Sequence, residues 1–280
     1  KDCDEVLRCP NCQRSLTYYR GTGTLECRWC SFKKEMSATC PKCGGTNIAM
    51  YGAGIETIES ELKRMLPNDQ RKIIRIEQDG DNLKSINFNE SQIIIGTQYA
   101  WQHIDWKNLK LFAVVDADSS LFVPEFKTIE NIWHLLRDAF YRAATNIPII
   151  IQTNYSNHII FQSLTRPEMF YKQELAQRKL FSYPPFNFIL KLFFGHLSKQ
   201  VAEQEAERVY RLIFELTKTN LDIKITPSLE LFPYFAKQKF WRAIIAKLSY
   251  KNYKQSTKLI LSQLPDNWKV DPNPNTLLSL

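Results

Sequence analysis

The chain has 280 residues, a formal net charge of +8, 44% hydrophobic residues and 12% aromatic residues. This composition is sufficient for buried cores, and the length suggests two or three domains, which excludes a disordered chain. No apolar run approaches the roughly 20 residues of a membrane-spanning helix, so we expect no membrane partner. The positive charge is compatible with nucleic acid but does not establish it.

All seven cysteines lie within the first 43 residues. Cys3 stands alone, and the others form the Cys-x-x-Cys pairs Cys9/Cys12, Cys27/Cys30 and Cys40/Cys43. Such a turn places two thiolates on one side of the chain, which suits tetrahedral Zn²⁺ with bonds of about 2.3 Å. Disulfides are the alternative, but disulfide scaffolds spread their cysteines through a small fold, and here a long cysteine-free region follows. The pattern therefore predicts zinc and a cytoplasmic protein.

The spacing predicts two zinc sites in a module over residues 1–50. Cys9-x₂-Cys12-x₁₄-Cys27-x₂-Cys30 is close to a four-thiolate ribbon and most simply closes one site. Cys3, Cys40 and Cys43 would form a second site that lacks one ligand. Because the chain has no initiator Met, we interpret it as a piece of a longer protein with the missing cysteine just before Lys1. Sites of four thiolates leave no open position and are structural.

Residues 51–180 show the alternation of an α/β domain. A helical period of apolar residues follows Gly54, and Ile129–Ala144 is predicted to be a second helix. Runs rich in Ile or Val predict strands at Lys72–Ile76, Gln92–Ile95, Leu111–Val115 and Pro148–Gln152. Continuous apolar runs are typical of parallel strands covered on both faces, so we expect an open parallel sheet.

Two polar turns follow strands of this predicted sheet. Gly96-Thr97-Gln98 places a hydroxyl and an amide at the carboxyl edge, where α/β folds bind ligands. Asp116 and Asp118 follow the next strand. They could hold a cation, but they could equally cap the next turn.

Residues 181–280 predict a separate α+β domain that begins near a double proline. We expect strands at Phe188–Phe194, Phe240–Lys247 and Trp268–Val270, and helices at Lys199–Thr217 and Asn252–Gln263. Between Leu231 and Ile260 there are seven basic and seven aromatic residues and no acidic residue. Basic grooves with aromatic platforms bind single-stranded nucleic acid, whereas the alternative is a solvated helix face. The predicted DNA contacts are Lys237, Lys239, Arg242, Lys251, Lys254 and Lys258.

The order of these features resembles the PriA family of primosomal replication-restart helicases. The shared features are the cysteine pairs, Gly54-x-Glu56, Gly96-Thr97-Gln98, Asp116-Ala117-Asp118, Gln152-Thr153, Tyr183-Pro184-Pro185-Phe186 and Asp271-Pro272. The resemblance covers essentially the whole chain and implies a RecA-like second helicase lobe, an inserted two-zinc module and a C-terminal DNA-binding domain. It also implies that the outer cysteine pairs hold one Zn²⁺ and the inner pairs the other. The nucleotide-binding residues implied are Gly54, Glu56, Gly96, Thr97, Gln98 and Asp105.

Two helicase motifs depart from the family pattern. Gln102-His103 stands where the family has Lys-Gly, and Asp105-Trp106 keeps only the outline of its Asp-Phe-Pro. The motif Gln-x-x-Gly-Arg-x-Gly-Arg aligns with 138–145, where Arg142 is the one arginine left and the remaining candidate catalytic residue. An arginine at the γ-phosphate changes turnover by about 10³–10⁵-fold, and Thr145 cannot replace it. We therefore expect an attenuated motor, with ATP and Mg²⁺ bound only in the full-length protein.

Three functions remain open from the sequence. The first is a replication-restart protein that binds forked or single-stranded DNA with a weakened helicase motor. The second is an active ATP-dependent 3′-to-5′ DNA helicase in the full-length protein. The third is a zinc-stabilised module that docks proteins, for which the resemblance implies single-strand-binding protein and helicase-loading proteins of the primosome.

Overall fold

A computed structural model of the chain describes residues 3, 7–10, 16–19, 22–27, 32–48, 54–77, 90, 92–118, 120–121, 123, 125–143, 147–219 and 222–280, without the side chains of residues 219, 233 and 234. The chain forms two compact units. The first, here called the antiparallel unit, contains Lys1–Met50, Pro124–Lys127 and Glu168–Leu280. The second, here called the parallel unit, contains Tyr51–Val123 and Thr128–Pro167.

The cysteine-rich part of the antiparallel unit contains a small antiparallel sheet in the described residues. Its strands are β1 (Thr17–Tyr19), β2 (Thr24–Glu26) and β3 (Lys33–Glu35), in the order β1-β2-β3. Gly23 has a φ of +66°, so the turn between β1 and β2 requires a residue that tolerates the left-handed region. Among the residues described in this module, the buried hydrophobic side chains are those of Cys9, Leu25 and Cys27.

The large sheet of the antiparallel unit and the helices that accompany it lie in the C-terminal part of the chain. Its elements are α4 (Pro167–Leu180), β8 (Asn187–His196), α5 (Lys199–Thr219), β9 (Ile223–Ile225), β10 (Leu229–Ala236), β11 (Lys239–Ser249), α6 (Tyr253–Leu261) and β12 (Lys269–Pro272). In the described residues the strands pair antiparallel in the order β10-β11-β8-β12, and β9 pairs with β11. Alternation along each strand sends side chains to two different faces.

Each face of this sheet has its own buried core. On one face, Leu190 and Ile244 from the strands pack with Ile213 of α5 and Ile260 of α6, all at most 1% exposed. On the other face, Ile189 and Ile245 pack with Leu277, Phe126 and Tyr183. The chain near its last residues therefore covers the face that the helices leave open.

The parallel unit contains two pairs of parallel strands in its described part. Its elements are α1 (Ile55–Met65), β4 (Lys72–Ile76), β5 (Gln92–Gly96), β6 (Phe112–Val114), α2 (Thr128–Arg142), β7 (Ile149–Ile151), α3 (Ile159–Gln162) and two 3₁₀ helices at Gln98–Gln102 and Trp106–Asn108. β4 pairs with β5 and β6 with β7. The prediction of a mixed α/β protein with parallel strands is confirmed, whereas one continuous sheet is not among the pairings described.

Aromatic residues fill the core of the parallel unit. Trp106 and Phe112 pack against Ala139 and Ala143 near the end of α2. Trp133 is completely buried, and its indole Nε1 donates a hydrogen bond of 2.9 Å to Ser163 Oγ. These contacts pack α2 against β6 and against the end of α3.

Several elements were not predicted from the sequence. Helix α4 buries Glu174 and Arg178 as an ion pair of 2.7 Å, so its buried face lacks the apolar pattern of a typical helix. Strand β10 contains Pro233, which disfavours a strand assignment except at sheet edges, and β10 is at the edge of this sheet. In the described part of the chain, no helix combines the length and apolar character needed to cross a membrane.

Candidate metal centre and nucleic-acid interface

Three of the predicted outer-site cysteines lie together. The Sγ atoms of Cys3, Cys40 and Cys43 are all within 4.8 Å of one another, and those of Cys3 and Cys40 are 3.7 Å apart. A disulfide requires about 2.05 Å, so Cys3 and Cys40 are not bonded to each other. Thiolates at about 2.3 Å from a tetrahedral Zn²⁺ lie about 3.8 Å apart. The cluster therefore fits three corners of a zinc site.

The backbone turn after Cys40 stabilises the thiolate form of this cysteine. Pro41 has no N–H, and the backbone N–H groups of Cys43 and Lys42 both hydrogen-bond to the Cys40 sulfur. Gly44 closes the turn with a φ of +72°, and its N–H donates to the Cys40 carbonyl at 2.9 Å. The N–H groups of Cys43 and Lys42 lower the pKa of Cys40 to about 7, against a smaller opposing effect of burial. The thiolate, which is the ligand form, is thus substantially populated near neutral pH.

The predicted inner site is only half within the described residues. Cys9 and Cys27 are 0% and 2% exposed and pack with Leu16, Phe32 and Phe240. Cys12 and Cys30 lie outside the described residues, so the inner ligand set stays a prediction. Phe240 belongs to β11. Its contact with Cys9 and Cys27 therefore connects the buried cysteines to the large sheet of the same unit.

Gly96 at the end of β5 has a packing reason to be glycine. A Cβ at this position would lie 2.4 Å from Ala100 Cβ and 3.0 Å from the Ile76 carbonyl oxygen. Real Cβ atoms do not approach so closely, so the 3₁₀ helix after β5 needs a glycine here. Thr97 and Gln98 follow it and are exposed, as expected for a turn at a sheet edge.

The other predicted nucleotide-binding residues occupy two further places. Gly54 directly precedes α1, and Glu56 in its first turn is exposed, with its carboxylate 4.0 Å from the guanidinium of Arg75. Asp105 precedes a 3₁₀ helix and accepts hydrogen bonds from the Lys107 N–H at 3.1 Å and from Asn108 Nδ2 at 2.8 Å. Nucleotide binding by these residues stays a prediction.

The Asp118 carboxylate binds a turn that follows a different strand, and not the turn that comes next in the sequence. Its carboxylate accepts hydrogen bonds from the Thr153 hydroxyl and from Asn154, whose N–H lies at 2.7 Å and whose Nδ2 lies at 3.0 Å. Thr153 and Asn154 follow β7, so Asp118 joins the ends of the two parallel strands β6 and β7. These hydrogen bonds hold the pKa of Asp118 below its usual value, with the Thr153 hydroxyl as the largest cause.

Arg142 is the last residue of α2. Its Nε donates to Asp138 Oδ2 at 2.7 Å, one helical turn earlier, and about half of its side chain is exposed. The ion pair is of the ordinary i,i+4 kind, worth a few tenths of a kcal/mol. Arg142 is therefore accessible at the end of a rigid helix, and its role in catalysis stays a prediction.

The tip of the hairpin between β10 and β11 carries two of the predicted DNA contacts. Ala236 pairs with Lys239, so Lys237 and Gln238 form a two-residue loop, with φ values of +52° and +60°. This is a turn with two left-handed residues, for which Asn-Gly is the usual sequence. Lys237, Gln238 and Lys239 are all exposed. A lysine and a glutamine are thus held at a strained, protruding tip.

Arg242 has a different environment. Its guanidinium lies 3.2 Å from Glu230 and 3.9 Å from Glu203, and it donates to the Ser228 carbonyl and hydroxyl at 3.2 Å and 3.1 Å. The side chain is 17% exposed, and its Nε is buried without a hydrogen-bond partner among the described residues. Arg242 therefore joins β10, β11 and α5, an environment that the local sequence does not reveal.

Helix α6 presents the remaining predicted lysines. Lys254 and Lys258 are one turn apart on α6, Lys251 precedes the helix, and all three are exposed. Beside them, the ring of Phe188 lies 4.9 Å from that of Tyr253 and 6.4 Å from that of Tyr250. Tyr250 is 43% exposed. Exposed aromatic surface next to lysines is the arrangement that single strands require.

No protein-family profile matches the chain. Curated relatives do match it, and three of them are replication restart proteins of different bacteria. PriA of Borreliella burgdorferi is 32% identical over 261 aligned positions, which cover 89% of this chain and 39% of the relative. PriA of Bacillus subtilis is 30% identical over 286 positions, or 96% of this chain and 34% of the relative, and PriA of Chlamydia pneumoniae is 30% identical over 296 positions, or 98% and 39%.

The chain belongs to the family of the replication restart protein PriA. The resemblance predicted from the motifs is confirmed. The chain spans little more than a third of the length of these relatives.

Proposed function

We propose that this chain is the zinc-stabilised, DNA-binding portion of a replication restart protein that acts in primosome assembly. The observation that carries the proposal is the identity of about 30% with PriA proteins over 89–98% of the chain. The exposed lysines of the hairpin tip and of α6 supply the charge that DNA phosphates need. The division into residues 1–50, 51–180 and 181–280 is part of the proposal, with the last as the DNA-binding domain.

The hairpin tip supports a DNA-binding role through its backbone. A non-glycine residue in the left-handed region costs roughly 1 kcal/mol, and this loop contains two in succession. Strain of this kind persists where the side chains have a task, and it clusters at binding sites. Lys237 and Gln238 are polar, exposed and adjacent to Lys239. A phosphate contact would account for their presence at a turn where Asn-Gly is the preferred sequence.

Zinc has a structural role in this proposal. Cys3, Cys40 and Cys43 would be ligands of one ion, and Cys9, Cys12, Cys27 and Cys30 would hold the other. The metal supplies rigidity to a module with few buried apolar residues in its described part, as closed thiolate sites do.

The parallel unit is proposed to be the second, RecA-like lobe of a helicase whose motor is attenuated. The loss of the second arginine after Arg142 supports attenuation, because an arginine at the γ-phosphate accounts for about 10³–10⁵-fold in turnover. The structural reasons found for Gly96 and Asp118 explain their presence without catalysis. An active 3′-to-5′ helicase and a protein-docking module for single-strand-binding protein or a helicase loader are the competing functions.

Fluorescence anisotropy with forked and single-stranded DNA, measured from 50 to 300 mM salt on the full-length protein, tests DNA binding. Replacement of Lys237 and Lys239 by Gln should reduce the log–log salt slope by about 1.4, since each single-strand phosphate contact contributes about 0.7. Glu215→Gln on α5 is a control at an exposed site. An unchanged slope would reject the hairpin as a DNA contact, and undetectable binding would reject the proposed function.

ATP turnover by the full-length protein separates the competing functions. An attenuated motor predicts DNA-stimulated turnover far below 1 s⁻¹, whereas phosphoryl-transfer enzymes with a complete set of groups reach about 1–100 s⁻¹. A normal rate would favour the active helicase, and Arg142→Ala would then abolish it. Normal protein recruitment without detectable DNA affinity would favour the docking module.

A further inference from the structure

Two lysines lie directly opposite each other on neighbouring strands of the large sheet. Lys224 of β9 pairs with Lys247 of β11 in the antiparallel register. Both ammonium groups are directed at one turn: Lys247 Nζ donates to the Phe181 carbonyl at 2.8 Å, and Lys224 Nζ donates to Ser182 Oγ at 3.0 Å. Two positive charges therefore converge on the segment between α4 and β8.

This convergence lacks a compensating acid among the described residues. None of the ion pairs that those residues form involves Lys224 or Lys247. The carboxylate of Asp222, two residues before Lys224, accepts a hydrogen bond of 2.9 Å from Asn252. Like charges directly opposite on adjacent strands repel each other. The partners present are a carbonyl, a hydroxyl and an aromatic ring, which orient the two ammonium groups without neutralising them.

The Lys247 side chain, which is repelled by Lys224, is partly buried. Its Nζ lies 3.7 Å from the centre of the Tyr183 ring. Burial, and secondarily the charge of Lys224, lower the pKa of Lys247. An anion between the two lysines would remove both costs, because it would neutralise the pair and replace lost hydration.

Exposed apolar side chains border the same turn. Leu180, the last residue of α4, is 75% exposed, and Phe181, which follows it, is 57% exposed, so neither contributes to the core. An exposed aromatic ring beside paired lysines has the two components of a single-strand site, a stacking surface for a base and charge for its phosphate. A free phosphate or nucleotide would also bind the two lysines. Its binding, however, would not depend on the distance between these lysines and the hairpin tip.

Strand β11 sets the distance between the lysine pair and the hairpin tip. Lys239 and Lys247 are eight residues apart on one strand and therefore lie about 26 Å apart, near the two ends of a strand whose middle is buried. This distance corresponds to about eight phosphates at the 3.4 Å spacing of one strand in a duplex, and to fewer in an extended single strand. A single strand of ordinary site size could therefore reach from the hairpin tip to the lysine pair.

We propose that Lys224 and Lys247 bind a phosphodiester group of single-stranded DNA, with Phe181 as the stacking surface, at the opposite end of β11 from the hairpin tip. The proposal rests on the proposed DNA-binding function and extends it by a second anchor. Its consequence is that DNA affinity depends on length: a strand too short to span β11 engages one anchor only.

The test compares variants of the full-length protein in anisotropy titrations with oligothymidylates of 4 and 20 nucleotides at several salt concentrations. Lys224→Gln together with Lys247→Gln should lower the salt slope for the 20-mer by about 1.4, and Lys224→Gln alone by about 0.7. The matched control carries Lys199→Gln and Lys218→Gln, two exposed lysines of α5, with the same change in charge and no expected change in slope. Phe181→Ala should weaken binding of single strands more than binding of a duplex of equal length.

The outcomes separate this proposal from the proposed function. If the Lys224 and Lys247 variants keep the slope while the Lys237 and Lys239 variant lowers it, the lysine pair is not a DNA contact and DNA binding still stands. If the parent protein does not bind DNA, both fail together. Lys224→Gln changes an exposed side chain and keeps the test valid if the double variant is unstable. Inorganic phosphate that competes equally in the parent and the double variant, with an unchanged DNA slope, would also overturn the proposal.

Discussion

Glu125 and Lys191 bind the backbone of the same segment, residues 276–279, one through its N–H groups and the other through its carbonyl groups. The Glu125 carboxylate accepts hydrogen bonds from the N–H groups of Leu277 and Leu278, at 2.8 Å and 2.7 Å. Lys191 is 3% exposed and donates from the other side, to the carbonyl of Thr276 at 3.2 Å and to that of Ser279. The segment thus closes one face of the large sheet through a carboxylate and an ammonium that each bind backbone groups.

Replacement of Glu125 by Ala should destabilise the antiparallel unit by about 3 kcal/mol. Two charge-assisted hydrogen bonds are lost, and two N–H groups of a partly buried segment are left without partners. Glu125→Gln should have about half this effect, because the amide oxygen can still accept from one N–H. Urea unfolding, followed by tryptophan fluorescence, to which Trp241 and Trp268 of this unit contribute, measures both variants. Glu215→Ala, at a 63% exposed side chain, should stay within about 0.5 kcal/mol of the parent, and an equal loss there would contradict the assignment.

The sequence predicted the elements of this protein better than their tertiary partners. Strand β4 was predicted at Lys72–Ile76 and lies there, because a short run rich in β-branched residues with polar segments on both sides is a local signal for a strand. By contrast, Arg242 and Lys247 look alike in the sequence as members of one basic segment. Only the register of β11 shows that Arg242 meets Glu230 while Lys247 meets Lys224. Pairing between strands that are distant in the sequence decides which lysine or arginine has an acidic partner for its charge. No local sequence pattern contains that information.

The cysteine cluster shows the complementary case. Short-range chemistry makes Cys40-Pro41-Lys42-Cys43-Gly44 a turn that directs N–H groups at a sulfur, so a candidate metal site could be predicted from the spacing. The contacts of Asp118 could not be inferred in the same way, because Thr153 and Asn154 lie 35 and 36 residues further along the chain. Gly96 was predicted to lie at a ligand-binding edge, and Asp118 either to hold a cation or to cap a turn; both have contacts within the fold that would suffice to explain them.

Asp118→Asn should lower stability near neutral pH, and the deficit should shrink in acid. The folded-state pKa of Asp118 lies below its unfolded value, so its contribution is present above the unfolded pKa of about 3.9 and is lost as the pH falls through the folded value. Unfolding of both proteins at pH 3, 4, 5 and 7 measures the difference. Asp266→Asn at an exposed site serves as the control. A deficit that is constant over this range would show that the carboxylate charge is not what joins β6 and β7.

Gly96→Ala should destabilise the parallel unit by about 1–3 kcal/mol through overpacking against Ala100. Ala100→Gly removes the Cβ that lies 2.4 Å from the added one, so the double variant should recover much of the loss relative to the sum of the single changes. A double-mutant cycle from urea unfolding measures this coupling. Strict additivity would mean that the two positions do not meet, and the glycine would then need another explanation.

Cys43→Ser should remove one zinc ion per protein chain from the two that the cysteine spacing predicts. Three sulfurs within 4.8 Å form one site, and loss of one thiolate weakens it strongly. Metal content after dialysis, determined by elemental analysis of the full-length protein, gives the stoichiometry, with Ser37→Ala as an exposed control in the same module. Zinc retention should also fall below pH 7, because the Cys40 pKa of about 7 means that protons then compete with the metal. An unchanged zinc content in Cys43→Ser would rule out the cluster as a site.

Replacement of the hairpin tip by Lys237→Asn with Gln238→Gly should make the protein more stable and a weaker DNA binder. Asn-Gly is the preferred sequence of a turn with two left-handed residues, so relief of strain at φ values of +52° and +60° should raise the free energy of unfolding by about 1–2 kcal/mol. The same change removes one exposed charge, so the salt slope for single-stranded DNA should fall by about 0.7. Lys237→Gln with Gln238 retained separates the two effects, since it removes the charge and keeps the strain. If the Asn-Gly variant gains stability and binds DNA as the parent does, the strained tip has no role in recognition, and the retention of Lys237 and Gln238 at this turn would have to be explained by something other than DNA.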